Sequence, residues 1–251
     1  MIHQPLISIV TITFNAAGEI LPTMKSVAEQ TWHDFEHLII DGASRDKTLE
    51  IARQFGVDSL RILSEPDNGL YDAMNKGLRM AKGKYVIFLN AGDAFHSKDI
   101  LAKYAAAAMK GADIIYADTI IVDKQRKFIA PRHLSAPPVL SFQSFANGML
   151  VCHQAFMVRK DLAPAYDTSY RFSADYDWTV RCLKKSKPGN CINLKTVAID
   201  YLSDGLTDKN KLKSLKERFS IMAEHYGTIS TVANHIGFVG RAIRRKISSR
   251  F

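Results

Sequence analysis

Asp41, Asp72 and Asp93 are the residues of the first half whose type and placement could do chemistry. In Asp41-Gly42 and in Asn90-Ala91-Gly92-Asp93 a carboxylate comes just past an apolar run that reads as a buried strand. That is where open α/β sheets bind their ligands. Carboxylates along such an edge can hydrogen-bond a ribose or a base, and one of them can hold a divalent cation. Mg²⁺ and Mn²⁺ prefer carboxylate and phosphate oxygen, and Mg²⁺ often takes only one or two protein carboxylates beside substrate phosphates. An ordinary turn with a capping Asp has the same spelling, so that tetrapeptide by itself leaves both readings open. There is no GxGxxG after the first apolar run and no GxxxxGK[ST] anywhere. Dinucleotide binding and P-loop phosphoryl transfer are therefore disfavoured.

The elements that must position these carboxylates are legible from periodicity. Leu6–Phe14 is β-branched and apolar, and predicts a buried first strand ending at Asn15, with a helix over about 18–30. A second strand, Phe35–Ile40, closes at Asp41-Gly42, and Ser44 or Asp46 can cap a helix over Lys47–Phe55. Leu60–Leu63 is a short third strand. The stretch Ser64–Asp93 organises the rest. Pro66, Asp67, Asn68 and Gly69 are turn chemistry, and Leu70, Ala73, Met74, Gly77, Leu78 and Ala81 recur at helical spacing. Tyr85–Leu89 then has no polar alternation, as suits a strand buried on both faces. A helix over Asp99–Met109 completes a run of βαβ units, which predicts a mainly parallel sheet flanked by helices.

The texture changes after Asp113. Asp113–Val122 and Lys127–Ala130 read as strands about a polar turn at Asp123–Gln125, and Ser135–Gly148 as irregular. His153–Val158 and Val197–Tyr201 read as strands, Asp175–Lys185 and Lys209–Tyr226 as helices. The predicted organisation is one α/β domain over 1–226, with a ligand-binding half (1–110) and a mixed half (111–226), followed by a basic segment, 227–251.

Composition sets the outer bounds. Of 251 residues, 47% are hydrophobic and 24% charged, values of a globular chain and not a disordered one. The net charge of +9 is unevenly placed: residues 1–180 carry 19 Lys/Arg against 20 Asp/Glu, and residues 181–251 carry 15 against 5. Three scattered cysteines, Cys152, Cys182 and Cys191, make neither a disulfide framework nor a zinc site, which fits a reducing cytosol. The N-terminus has no basic run before its apolar stretch, so no signal peptide is expected, and no run approaches the ~18 apolar residues of a membrane span.

Four motifs taken together resemble those of family 2 glycosyltransferases. They are Thr13-Phe14-Asn15, Asp41-Gly42-Ala43-Ser44-Arg45-Asp46-Lys47-Thr48, Asp67-Asn68-Gly69-Leu70-Tyr71-Asp72-Ala73-Met74-Asn75-Lys76-Gly77, and Leu89-Asn90-Ala91-Gly92-Asp93, spanning about residues 6–95. The flavour is that of bacterial enzymes building exopolysaccharide, O-antigen or colanic-acid repeat units. The resemblance implies a GT-A fold that binds a nucleotide-diphosphate sugar and a divalent metal, Mn²⁺ or Mg²⁺, and inverts the anomeric centre. It implies that Thr13, Asn15, Asp41, Asp72, Asn75 and Asn90 line the nucleotide-sugar site and that Asp93, on an exposed loop, ligates the metal. The family usually has Asp-x-Asp-Asp where this chain has Asn90-Ala91-Gly92-Asp93, so two carboxylates are missing.

Ser173-Ala174-Asp175-Tyr176-Asp177-Trp178 resembles the family's Glu-Asp-x-Asp/Glu-Leu segment, with Ala174 in place of Glu, and puts Asp175 on its catalytic base. By itself the stretch reads as a helix start enriched in Asp for dipole reasons. Asp177 reads as structural. His153 reads as a core histidine or an acceptor contact, Tyr176 and Trp178 as packing residues. Gly205-Leu206-Thr207, with Lys209 and Lys211, resembles a loop that covers the pyrophosphate in relatives. Ile229, Val232, Ala233, Ile236, Val239, Ile243 and Ile247 recur at helical spacing beside Arg241, Arg244, Arg245, Lys246 and Arg250. Such a helix can lie on an anionic membrane surface or pack on its own domain.

The sequence therefore predicts a cytoplasmic glycosyltransferase, peripheral at the inner face of the cell membrane. Its partners would be a nucleotide-diphosphate sugar donor and a saccharide or lipid-linked saccharide acceptor. Nucleic acid is not expected, because the charge sits in one tail and no nucleic-acid-binding motif is present. A non-catalytic nucleotide-sugar binder is the alternative, suggested by the residues missing at 90, 92 and 174.

Overall fold

The structure is a computed structural model that describes residues 3–203 and 211–236. Four parallel strands form its first half, β1 (Ile7–Thr13), β2 (Phe35–Asp41), β3 (Leu60–Ser64) and β4 (Tyr85–Phe88), in the order β3-β2-β1-β4. Every residue of β1, β2 and β4 is buried, which is why these runs show no polar alternation. The register sets Thr13 opposite Asp41 and Asp41 opposite Ser64, so the carboxyl ends of three strands finish level.

Helices α1 (Ile20–Ala28), α2 (Thr48–Gln54), α3 (Leu70–Met80) and α4 (Ile100–Met109) connect and cover the strands. The ends of α1 and α2 lie one or two residues inside the predicted ones, and α4 starts one residue later than predicted. Successive β1 residues feed two cores: Val10 and Ile12 pack with Tyr71, Met74 and Leu78 of α3, and Ile7 and Ile9 with Leu101, Tyr104 and Ala105 of α4. Gly77 lets α3 approach β1 closely, since a Cβ there would lie 2.4 Å from Val10 Cγ1.

The second half continues the same sheet as β8-β6-β9-β5, from β5 (Ala94–Phe95), β6 (Ile114–Val122), β7 (Phe128–Pro131), β8 (Phe156–Arg159) and β9 (Cys191–Leu202), with β7 on β6 as a side branch. Here the directions are mixed. β8 is antiparallel to β4 and β6, β5 to β9, and β7 to β6, whereas β6 and β9 are parallel. Helix α5 (Ala174–Lys185), helix α6 (Lys211–Tyr226) and a helical stretch over 228–236 complete the described chain.

Two expectations change. The strand predicted from His153 starts only at Phe156, because His153–Ala155 is a 3₁₀ turn closed by Ala155 N–H on Cys152 O. The late strand starts six residues early, at Cys191; Lys195, at φ 52°, bulges it and shifts its register on β6, which hides its period. The two-residue β5 carries no periodic signal at all. The loop at Gly205-Leu206-Thr207 with Lys209 lies outside the described residues, as do the side chain of Lys211 and everything beyond Ile236.

Candidate active site

The site is built on the level carboxyl ends of β1 and β2. Asp41 closes β2, 1% exposed, and its carboxylate accepts from Ser44 N–H (2.9 Å), Ser64 Oγ (2.6 Å) and the Ser44 hydroxyl. Ser44 Oγ in turn accepts from Asn15 N–H at 2.7 Å, and Asn15 Oδ1 accepts from Arg45 N–H at 2.9 Å. Asn15 stands at φ 47°, a left-handed backbone that asparagine tolerates well. Asp46 accepts the Thr48 N–H at the start of α2 (3.0 Å), so the helix is capped from Asp46 while Ser44 ties the two loops together. Thr13, Asn15 and Asp41 are thereby brought to one place.

Asn90 to Asp93 form the turn after β4, laid alongside the end of β1 by Ala91 N–H on Ile12 O (3.2 Å). Thr23 of α1 clamps it: its hydroxyl donates to Asp93 O (2.6 Å) and accepts from Gly92 N–H (2.9 Å). Gly92, at φ 100°, supplies the positive φ this turn needs. Asp93 is not the exposed loop residue the sequence predicts. It is 4% exposed, because β5 and β9 close over the turn and Leu202 N–H donates to Asp93 Oδ1 at 3.0 Å. Burial pushes its carboxyl up to about 7, against the opposing pull of the Leu202 N–H and the Arg126 guanidinium.

Arg126 comes from the β6–β7 turn, its backbone at φ 64°. Its guanidinium donates to Gly92 O (2.6 Å) and Asp200 O (3.3 Å) and lies 3.7 Å from the Asp200 carboxylate. The sequence gives this residue no role, since nothing in a polar turn announces which side chain will cross to another strand.

Two oxygens beside this turn have no partner among the described residues: Thr13 Oγ1 and Asn90 Oδ1, both buried. Buried polar atoms are nearly always satisfied, so orphaned ones mark a place for water or ligand. A cation fits here in a limited way. Asp93 and Asn90 supply hard oxygen, yet among the described residues no group of three or more His, Cys, Asp or Glu could hold a metal ion. The donor set suits a cation shared with phosphate oxygens, not one caged by protein.

Asp72 and Asn75 are placed on α3, away from these loops in bonding terms. Asp72 Oδ2 accepts Asn68 N–H (3.0 Å) at the helix start and lies 3.8 Å from Lys76 Nζ. The Asn75 amide is spent on the backbone of Tyr166, donating to its carbonyl (3.0 Å) and accepting its N–H (2.7 Å). It ties the two halves of the chain together.

Asp175 sits in the first turn of α5. Its Oδ1 accepts from Tyr71 OH of α3 (3.2 Å) and from Tyr176 N–H (2.9 Å). Tyr71 stacks on Tyr166 at 5.8 Å, and Tyr166 on Trp178 at 4.9 Å. Asp177, two residues on, faces elsewhere: Arg181 Nε donates to it at 2.7 Å, and its other oxygen meets His225 Nε2 at 2.7 Å. Burial raises the Asp177 carboxyl, but His225 and Arg181 more than offset that and hold it below the ordinary carboxylate range. It pins α6 to α5, the structural reading. His153 is buried on Phe88 and Trp178 and bonds Tyr166 OH (2.6 Å), and burial pulls its imidazole down to about 4. It is a core histidine.

Comparison with known proteins gives the chain's family and fold. The model of the glycosyl transferase family 2 matches residues 8–166. A "PGL/p-HBAD biosynthesis glycosyltransferase" of Mycobacterium bovis is 33% identical over 225 residues, which is 84% of each chain. The "cholesterol galactosyltransferase" of Borreliella burgdorferi is 27% identical over 162 residues, 62% of this chain and 45% of that one. Among solved structures, S. aureus TarS 1–349 superposes with a TM-score of 0.71 at 16% identity, over 92% of this chain and 72% of its own. The mannosyltransferase PcManGT of Pyrobaculum calidifontis, solved with GDP-Man and Mn²⁺, gives 0.63 at 14% identity, over 99% and 81%. These likenesses show the GT-A fold. A family model that matches residues 8–166, more than half of the chain, makes this chain a family 2 glycosyltransferase.

Proposed function

We propose that the protein moves a sugar from a nucleotide-diphosphate sugar to a hydroxyl of a surface-polysaccharide acceptor carried on lipid, at the inner face of the cell membrane. The observation that carries the donor side is the pair of orphaned oxygens, Thr13 Oγ1 and Asn90 Oδ1, beside the buried Asp93. Solved neighbours support it: TarS has been solved with UDP-GlcNAc and PcManGT with GDP-Man and Mn²⁺. On this reading Asn15 and Asp41 lie by the base and ribose and Asp72 approaches the nucleotide. Asn75, engaged with Tyr166, serves mainly to hold α3 in place.

Asp175 is the general base. It takes the proton from the acceptor hydroxyl as that oxygen forms its bond to the anomeric carbon. The bond from that carbon to the diphosphate oxygen breaks on the opposite face, and the diphosphate leaves with the electron pair, so configuration inverts. Asp93, with Asn90 beside it, would hold Mn²⁺ or Mg²⁺, whose charge neutralises what the leaving diphosphate gains. One carboxylate then suffices for proton transfer, unlike the paired carboxylates of glycoside hydrolysis.

A thermal-shift series with UDP, GDP, CMP and dTDP, each with Mn²⁺ or with EDTA, tests the donor side. A ligand that binds only the native state raises Tm by mass action. One nucleoside diphosphate should raise Tm with Mn²⁺ and little with EDTA, and Asp93→Asn should remove that difference while keeping the Leu202 contact. No response to any nucleotide, or an equal response in EDTA, contradicts the proposal.

A further inference from the structure

The helical stretch 228–236 is amphipathic the wrong way round for a helix that packs on its own protein. Thr231, Asn234 and His235 face the domain, while Thr228 and Ser230 are exposed. Thr231 is 0% exposed, Asn234 Nδ2 donates to Ala146 O at 2.9 Å, and the His235 ring meets Phe219 of α6 at 5.1 Å. Its apolar residues face out: Ile229 is 89% exposed, Val232 44% and Ile236 70%, spaced by three and four so that they share one face. A helix that turns Thr231, Asn234 and His235 to the domain and leaves Ile229, Val232 and Ile236 outside has an apolar face made for another phase.

What the chain carries next says which phase. Residues 237–251 hold Arg241, Arg244, Arg245, Lys246 and Arg250 and no acidic residue. Val239, Ile243 and Ile247 continue the apolar spacing of Ile229, Val232 and Ile236. Exposed isoleucines with a cluster of arginines complement a surface that is apolar within and negatively charged at its rim, which is the chemistry of an anionic lipid leaflet.

We infer that the outward face of helix 228–236, led by Ile229, Val232 and Ile236, is the surface by which this protein docks on anionic lipid. This deepens the lipid-carried-acceptor reading above and rests on it only for its purpose. The docking is a property of the free protein and needs neither donor nor acceptor.

The test is co-sedimentation of the full chain with phosphatidylcholine vesicles, with and without phosphatidylglycerol, for the unmutated protein and for the double variant Ile229→Asp/Ile236→Asp. Both residues are exposed, so the variant should keep the Tm of the parent and its nucleotide response. Binding should require phosphatidylglycerol, weaken with salt as the Debye length shortens, and fall at least tenfold in the variant. Equal binding by parent and variant overturns the inference, as does no binding of the parent to anionic vesicles. Loss of a dimer in the variant, read by light scattering, without a change in vesicle binding would instead give the face to a second copy. Normal docking by a protein that binds no nucleotide would sink the functional reading and leave this one standing.

Discussion

Tyr71 of α3 donates its hydroxyl to Asp175 of α5 at 3.2 Å, across 104 positions of sequence. The contact joins the helix that follows the Asp67-Asn68-Gly69 turn to the carboxylate proposed as the base. A hydrogen bond to a charged group contributes about 1.5–3 kcal/mol. It weakens as the carboxylate takes a proton, so its catalytic share is orientation of the base, and half of that energy corresponds to roughly three- to tenfold in rate. Tyr71→Phe keeps the ring on Tyr166 and removes only the hydroxyl. It should lower kcat roughly three- to tenfold with little change in Tm or donor Kd. Unchanged turnover would mean that Tyr71 does not orient the base.

Asp177→Ala should behave in the opposite way. The carboxylate bonds both Arg181 and His225, and removing one member of a buried charged cluster costs about 3–5 kcal/mol. Chemical denaturation should show that loss, whereas turnover per folded molecule, corrected by active-site titration, should stay near normal. A stable Asp177→Ala protein with collapsed turnover would move the catalytic role to Asp177.

Acid should weaken the fold through two histidines. Burial pulls His37 down to about 3 and His153 down to about 4, from an ordinary value of 6.5. The unfolded chain binds these protons below pH 6.5 and the folded one does not. Their stabilising share is therefore intact above pH 6.5 and is lost as pH falls towards 4 and 3. At pH 5 the loss is about 2 kcal/mol per histidine. Asp93, pushed up to about 7, works the other way over the same range, because the folded chain takes its proton first. The clean readout is therefore a comparison. By urea denaturation, going from pH 7 to pH 5 should cost the parent about 2 kcal/mol more than His37→Gln, which can still bond the Thr11 hydroxyl. The same pH dependence in the parent and in His37→Gln would contradict the burial assigned to the His37 ring.

The first half of the fold was legible because β1, β2 and β4 are buried on both faces and their apolar runs end sharply at Asn15, Asp41 and Asn90. The second half was less so. β9 is broken by the bulge at Lys195, and β5 is two residues long, so neither has a period to detect. The gathering of Thr13, Asn15 and Asp41 could be expected from strand ends, but Ser44 as the link between them could not. The burial of Asp93 was missed because it comes from Leu202, 109 residues away, and Arg126 reaches the same turn from a hairpin with no local signature. Asn75, within a family motif, turned out to be committed to the Tyr166 backbone.

The account turns on Asp175 as the base, and single-turnover transfer by Asp175→Asn tests it most directly. Asn keeps the shape and still accepts from Tyr71, but it cannot take a proton. General-base catalysis is typically worth about 10²–10⁴ in rate. The account predicts a fall of that order in kcat, donor Kd unchanged, and, in the unmutated enzyme, a linkage of opposite anomeric configuration to the donor by proton NMR. Near-normal turnover in Asp175→Asn, or retention of configuration in the product, would contradict it.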